Sequence, residues 1–200
     1  QAYAHKLLTG RSHRFETLRE LGGLSGFPSK DESEYDPFTI GHSSTSISMA
    51  TGLKSAMDLK GDNKKVVAVI GDASLAGGMS FEALNHAGHM KKNIVVILND
   101  NERSISKSVG ALSRYLNRII SAPLYNKVRK EAEDFIKGIP KVGEGALFAA
   151  RKFEEGIKNL LVPGIIFEEM GFRYFGPIDG HNISLLIKTL KNVLTIKEPI

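Results

Sequence analysis

Val66-Val67-Ala68-Val69-Ile70-Gly71-Asp72-Ala73-Ser74 and, further on, Ile94-Val95-Val96-Ile97-Leu98-Asn99-Asp100-Asn101 decide the fold class of this chain. Each is a run of β-branched and aliphatic residues that stops abruptly in small and oxygen-bearing side chains. That pattern predicts strands buried on both faces of a parallel sheet, at 66–70 and 94–98. Phe81 to Met90 reads as the helix between them, which makes a right-handed β-α-β unit. Ligands of open α/β sheets bind beyond the carboxyl ends of the strands, so Asp72 and Asn101, twenty-nine positions apart, can converge there. A carboxylate beside an amide oxygen suits a hard cation. Mg²⁺ takes few protein oxygens and favours phosphate-bearing ligands, so the pair suggests a metal clamp on a diphosphate. The competing reading is that both residues cap the helices that follow.

Ser43 through Leu59 predicts a helix, with Ile47, Ala50, Leu53 and Met57 at helical spacing and Gly61 as its stop. Gly41-His42-Ser43 stands at its amino-terminal end, where free backbone N–H groups and the helix dipole favour an anion. Ser43 or Ser44 would serve equally as a plain N-cap, with His42 packed under a loop. Ala73 and Ser74 hold the corresponding turn after the first core strand, where N–H groups and the Ser74 hydroxyl can meet phosphate oxygens.

Elsewhere the signals are coarser. Residues 1–40 read as loop-rich, punctuated by Gly22-Gly23, Gly26, Pro28 and Pro37, with Phe38-Thr39-Ile40 as a short strand. Residues 111–160 break the α/β rhythm with mixed charge, Pro123, Pro140 and several glycines, and read as a mostly helical insertion. A last unit is expected as a helix near Pro163 to Met170, a strand at Phe172 to Phe175 and a helix from Ile183 to about Thr195. With 42% hydrophobic residues, the 200-residue chain can bury a substantial core and fits one domain. It has no cysteine, which excludes disulfides and thiolate metal sites and fits a reducing compartment. The net charge of +5 is dispersed among acidic residues, which favours phosphorylated small molecules over nucleic acid as partners. Neither a signal pattern nor an apolar run of about 20 residues is present, so the cytoplasm is expected and no membrane association.

Gly71-Asp72-Ala73 followed by Asn99-Asp100-Asn101 resembles the thiamine-diphosphate motif, with Ala73 where a glycine is usual. Gln1-Ala2-Tyr3-Ala4-His5-Lys6-Leu7-Leu8-Thr9-Gly10-Arg11, Glu32-Ser33-Glu34-Tyr35-Asp36, Gly41-His42-Ser43-Ser44-Thr45-Ser46, Glu82-Ala83-Leu84-Asn85-His86-Ala87-Gly88 and Gly176-Pro177-Ile178-Asp179-Gly180-His181 extend the likeness. Together they resemble the amino-terminal domain of the 1-deoxy-D-xylulose-5-phosphate synthase family along nearly the whole chain. The resemblance implies a doubly wound, mainly parallel sheet flanked by helices, binding thiamine diphosphate and Mg²⁺. It implies Asp72, Asn101 and the main-chain oxygen of Arg103 as metal ligands. Gly41, His42, Ser43, Asp72, Ala73, Ser74 and Asn101 would contact the cofactor, with His42 the candidate catalytic group. Thiamine diphosphate would supply the acyl-anion chemistry by which pyruvate loses carbon dioxide and its remaining two carbons join glyceraldehyde 3-phosphate.

In that family a Gly-His pair precedes Gln1, a further strand follows Ile200, and the glutamate that activates the aminopyrimidine belongs to a second, pyrimidine-binding domain. The resemblance therefore implies an excised domain or part of a longer chain, inactive by itself and paired in a homodimer. Two alternatives are another transketolase-like thiamine enzyme half and a noncatalytic nucleotide-binding module. Against the latter, Gly71-Asp72-Ala73-Ser74-Leu75-Ala76-Gly77 puts an acid where a Gly-x-Gly-x-x-Gly turn avoids one. Glu82, His86 and His89 share a helical face but do not complete a metal site. For His181 an active-site role suggested by the resemblance stands beside local capping by Asp179 or Asn182. His5 lies among matching neighbours, and His13 has no such support.

Overall fold

The computed structural model describes residues 1–101, 111, 115 and 164–200. The helical insertion expected at 111–160 lies, apart from Ala111 and Tyr115, outside the described residues. Among the described residues the fold is α/β, built on β1 (Val66–Gly71) and β2 (Ile94–Asn99), which pair in parallel from Val66↔Ile94 to Gly71↔Asn99. The predicted strands thus form where expected, each one residue longer. Three helices surround them in chain order: α2 (Ser46–Leu59) before β1, then α3 (Asp72–Leu75) and α4 (Gly78–His89) in the crossover. Those helices follow α1 (Ala2–Lys6), and α5 (Ile165–Glu169) and α6 (Ile183–Val193) close the order.

The strand period of two sorts side chains onto two faces. Val66, Ala68 and Ile70 of β1 and Ile94 of β2 are buried against Ile47 and Ala50 of α2 and Ala83, Leu84 and Ala87 of α4. Phe167 and Phe172 close the same core, and Phe167 stacks on Tyr174 with ring centroids 5.8 Å apart. On the opposite face Val95 is buried under Val193 and Ile200, with Ile97 and Ile196 beside them. Val67 and Val69, its neighbours on β1, remain 45% and 46% exposed. Burial on both faces therefore holds for part of β2 and not for β1, because the carboxyl-terminal segment covers only the second strand. Ile200 extends the sheet: its N–H donates to the Ile94 carbonyl at 3.0 Å and its carbonyl accepts from Val96 N–H at 2.6 Å. Lys65 fastens that segment, donating to Asn93 Oδ1 at 2.6 Å and to the Ile196 carbonyl.

The helix–helix contact at the back of α4 is very close. A Cβ on Gly88 would lie 1.7 Å from the Met170 carbonyl oxygen, so this surface admits only glycine, and Gly171 packs back onto it at a φ of +86°. The strand expected at Phe172 to Phe175 does not form. One backbone bond, Arg173 N–H to the Pro199 carbonyl at 2.9 Å, ties this stretch to the sheet's extension without a ladder.

The opening segment also departs from expectation. Residues 38–40 make no strand, and residues 2–17 are helical: α1, a π-helical turn at Leu7–Arg11 kinked at Gly10 (φ +83°), and a 3₁₀ turn at Ser12–Thr17. These turns exist to seat charges. Arg11 grips Asp36 with both terminal nitrogens, at 2.7 and 2.8 Å; Asp36 also accepts from the Ser29 N–H at 2.9 Å and pairs with His5 Nε2 at 2.7 Å. Lys6, fully buried, pairs with Glu32, which accepts from the Ser25 N–H at 2.6 Å. The Arg11 hydrogen bonds, outweighing burial, hold the Asp36 carboxyl far below the usual carboxylate range. Burial pushes Glu32 the other way, but the Lys6 and Ser25 hydrogen bonds prevail and lower it. The glycines and prolines that suggested a loop-rich stretch all lie from Gly22 onward, beyond the helical residues 2–17.

A folded-state pKa below the unfolded value stabilises at neutral pH, and the contribution disappears as pH falls through the folded value. Asp36→Asn should therefore lower stability at neutral pH by about 3–5 kcal/mol, the usual cost of leaving one partner of a buried pair uncompensated. The gap between parent and variant should narrow below about pH 4, where the unfolded carboxyl takes up its proton. Thermal melts across that range check both the size and the sign.

Candidate functional site

Gly71 and Asn99 are the last paired residues of the two strands. Asp72 therefore starts one step past the end of β1, and Asn101 two steps past the end of β2, at the same edge of a sheet whose adjacent strands lie about 4.8 Å apart. The convergence inferred from sequence is a consequence of parallel pairing in this register. Asp72 is buried and opens α3, while Ala73 is exposed and Ser74 half-buried. Asn101 is exposed at the edge, and Arg103 lies outside the described residues. The Gln1 side-chain amide also reaches this edge: its nitrogen is 4.0 Å from the position a Cβ would take on Gly71.

The second expected anion turn differs in detail from its prediction. Gly41, His42 and Ser43 are exposed in a turn before α2, but the helix starts at Ser46 rather than Ser43. Ser44 adopts a φ of +69°, which a right-handed helix does not admit. The N-cap is Thr45, whose hydroxyl donates to the His42 carbonyl at 3.1 Å, so neither Ser43 nor Ser44 caps the helix. Instead Ser44 Oγ crosses to the other turn and donates to the Ser74 carbonyl at 2.7 Å. Buried Ser80, in the first turn of α4, reaches the same carbonyl at 3.0 Å and the Ser44 carbonyl at 3.2 Å. The two turns singled out separately from the sequence are thus one joined structure. Sequence reasoning offered Ser44 only as an N-cap and gave Gly77 and Ser80 no role; the available signal was a run of hydroxyl residues longer than one cap needs.

At the first residue of α2 the Ser46 hydroxyl is buried and has no hydrogen-bond partner among the described residues. A buried donor without an acceptor carries a penalty, so its place beside the helix amino terminus suits an anionic guest. With the Asp72 carboxylate at the strand end, the donor set fits a magnesium diphosphate, in which protein oxygens are few and phosphate oxygens complete the shell.

Of the other candidate histidines, His5 pairs with Asp36. Glu82 and His86 line a groove of about 360 Å³ between α2 and α4 with Ser48, Gly52 and Ser55. Among the described residues no cluster of three or more His, Cys, Asp or Glu suits a metal. At His181 the capping alternative is realised next door: Asn182 accepts from Leu185 N–H at 3.1 Å, and Asp179 accepts from the fully exposed His181's N–H at 2.9 Å. No described helix is long and apolar enough to cross a membrane.

Ala73 has right-handed backbone within α3, so its methyl group is tolerated where the related motif carries glycine. Ala73→Gly should leave ligand binding intact and cost about 0.5–1 kcal/mol through unfolded-chain entropy. Paired thermal melts and cofactor titrations check it, and a stabilised variant would contradict the right-handed geometry.

Comparison with known sequences supplies the relationship. The family model described as 1-deoxy-D-xylulose-5-phosphate synthase matches residues 1–200. Relatives bearing that name include those of Carboxydothermus hydrogenoformans and Syntrophotalea carbinolica, each 56% identical over 200 residues, covering 100% of this chain and 32% of the relative. The Alkaliphilus oremlandii relative is 54% identical over the same 200 residues, again 32% of its length. The chain thus spans about a third of the curated relatives it matches.

Proposed function

This chain belongs to the 1-deoxy-D-xylulose-5-phosphate synthase family, and from that premise we propose that it is the diphosphate-holding domain of a thiamine-diphosphate-dependent transferase. The reaction joins two carbons of pyruvate to glyceraldehyde 3-phosphate, releasing carbon dioxide. What supports the reading is the strand edge that Asp72 and Asn101 both follow, with Asp72 buried, the turn before α2 tied to the Asp72 turn by the Ser44–Ser74 bond, and no hydrogen-bond partner for the Ser46 hydroxyl among the described residues. Family membership does not favour the alternative of a noncatalytic nucleotide-binding module.

Each residue has a role in this proposal. Asp72 and Asn101 supply side-chain oxygens to Mg²⁺, and the Arg103 main-chain oxygen adds a third. Backbone N–H groups of Gly41, His42, Ser43, Ala73 and Ser74 surround the diphosphate, helped by the amino-terminal end of α2. His42, exposed on that turn, is the candidate for moving a proton at the reacting centre. Bound there, thiamine diphosphate supplies acyl-anion chemistry that no side chain of the protein provides. The chain's part is to fix the anionic end so that the reactive ring is held in one orientation, which is worth many orders of magnitude in rate. The doubly wound sheet, the homodimer and the pyrimidine-binding domain carrying the activating glutamate complete the proposed enzyme.

Asp72→Asn tests the metal role in the full-length protein, since it removes an anionic ligand while sparing the buried strand. Losing outer partners of metal ligands typically costs about 10–100-fold, so a direct ligand should cost about 100-fold or more in Mg²⁺-dependent thiamine diphosphate affinity. Calorimetric titration with and without Mg²⁺ measures this, and unaltered affinity would remove Asp72 from the site. The division of labour has its own test in carbon dioxide release from pyruvate with glyceraldehyde 3-phosphate present. Residues 1–200 alone should be silent and the full-length enzyme active; turnover by the isolated chain would sink the two-domain reading.

A further inference from the structure

At Ser44 the local backbone and the side chain make opposite demands. Its φ of +69° is one that glycine adopts freely and serine rarely. A position selected for backbone geometry alone would be filled by glycine at no cost. Serine brings a hydroxyl, and that hydroxyl is committed at 2.7 Å to the Ser74 carbonyl, thirty residues away in sequence. Ser80 converges on both partners of this bond, the Ser74 carbonyl at 3.0 Å and the Ser44 carbonyl at 3.2 Å. Gly77 makes room for it, because a Cβ there would fall 2.3 Å from Ser44 Oγ and 3.0 Å from Ser44 Cβ. Gly77 itself has an ordinary φ of −72°, so its lack of a side chain serves that close approach and not the backbone.

We propose that Ser44 is a positioning residue, whose side chain sets the separation between the turn before α2 and the turn of α3, and thereby the geometry of the magnesium–diphosphate site. This rests on the reading of that site given above. Asp72 opens the four-residue α3, and Ser74 lies two residues on in the same turn. A shift of the Ser74 carbonyl therefore carries Asp72 with it. One anion held from two elements needs a fixed gap between them, because hydrogen bonds weaken steeply with distance and misalignment, and sites gain from supports that lock that gap before the ligand arrives. Neither Ser44 Oγ nor Gly77 Cα is offered to the ligand in this arrangement, since each faces the other.

The test uses the full-length protein, titrated with thiamine diphosphate and Mg²⁺ by calorimetry, with thermal melts of the apo form. Ser44→Gly relieves the backbone and removes the tie. The apo melting temperature should hold or rise, while cofactor Kd should rise about 10-fold, the equivalent of one lost hydrogen-bond link. At saturating cofactor, KM for pyruvate should stay within about two-fold of the parent. Gly77→Ala attacks the same link from the other side and should raise Kd in parallel. In Ser44→Gly/Gly77→Ala the two closest obstacles to the new methyl, Ser44 Oγ and Cβ, are removed, and the next nearest atom is the Ser74 carbonyl oxygen at 3.4 Å. The double variant should then bind no worse than Ser44→Gly alone, a non-additivity that two unrelated lesions do not produce. If Asp72→Asn loses metal-dependent binding while Ser44→Gly and Gly77→Ala bind as the parent does, the positioning role is wrong and the site stands. If all three bind as the parent does, the site itself is wrong and the positioning role falls with it. Additive losses in the double variant, or a matching fall in apo stability for Ser44→Gly, would reduce Ser44 to a structural residue.

Discussion

Everything at the candidate site follows from the parallel pairing of β1 with β2 in one register. Parallel strands end on the same side of a sheet, so the residues just past Gly71 and Asn99 become neighbours without a long-range contact of their own. A slip of one residue would turn Val66, Ala68 and Ile70 away from the core and their partners with them. Burial of those residues against α2 and α4 is therefore what holds Asp72 and Asn101 at one edge. Apolar packing along the strands thus does the positioning for a polar site at their ends.

The chain stabilises its other parts by different means. The opening segment buries few apolar groups and is held by Lys6, Arg11, Glu32 and Asp36, whose charges are paired and whose carboxylates also accept backbone N–H groups. Burying ions is costly unless the geometry is complete, so such a network discriminates strongly between one arrangement and its near neighbours. Asp36 lies five residues before Gly41, and α1 is preceded by its N-cap Gln1, whose side-chain amide reaches toward Gly71. Both ends of the charged network thus lead directly into the candidate site, one through each chain direction.

What was legible in the sequence follows the same division. The two strands and the helices packed on them announce themselves, because β-branched runs and helical spacing are local signals of burial. The common edge of Asp72 and Asn101 was legible too, since it needs only the parallel topology. Residues 2–17 were not, because nothing local to Lys6 and Arg11 hints that carboxylates twenty-one to twenty-six positions away will pair with them in a buried network. Ser43 and Ser44 read as caps for an equally physical reason: serine before an apolar helical stretch usually is one. Only the fold shows that Thr45 takes that place and that Ser44 turns out of the helix to reach Ser74. The double-sided burial expected of β1 failed at Val67 and Val69, because hydrophobic runs report that a strand lies in a sheet but not how far its covering elements reach.

The turn before α2 and the turn of α3 show how a fold combines rigidity with access. An anion site must leave N–H groups free for the guest, so its backbone cannot be satisfied internally as a helix or sheet is. Gly41, His42 and Ser43 accordingly lie exposed, and residues that stay exposed contribute little burial to hold themselves in place. The compensation comes from behind: Ser44 and Ser80 spend their hydroxyls on the Ser74 and Ser44 carbonyls, and Gly77 yields its side chain so that the approach is close. The Ser44 and Ser74 carbonyls are thereby satisfied within the protein by hydroxyl side chains, which join the two turns without adding a charge that would compete with an anion.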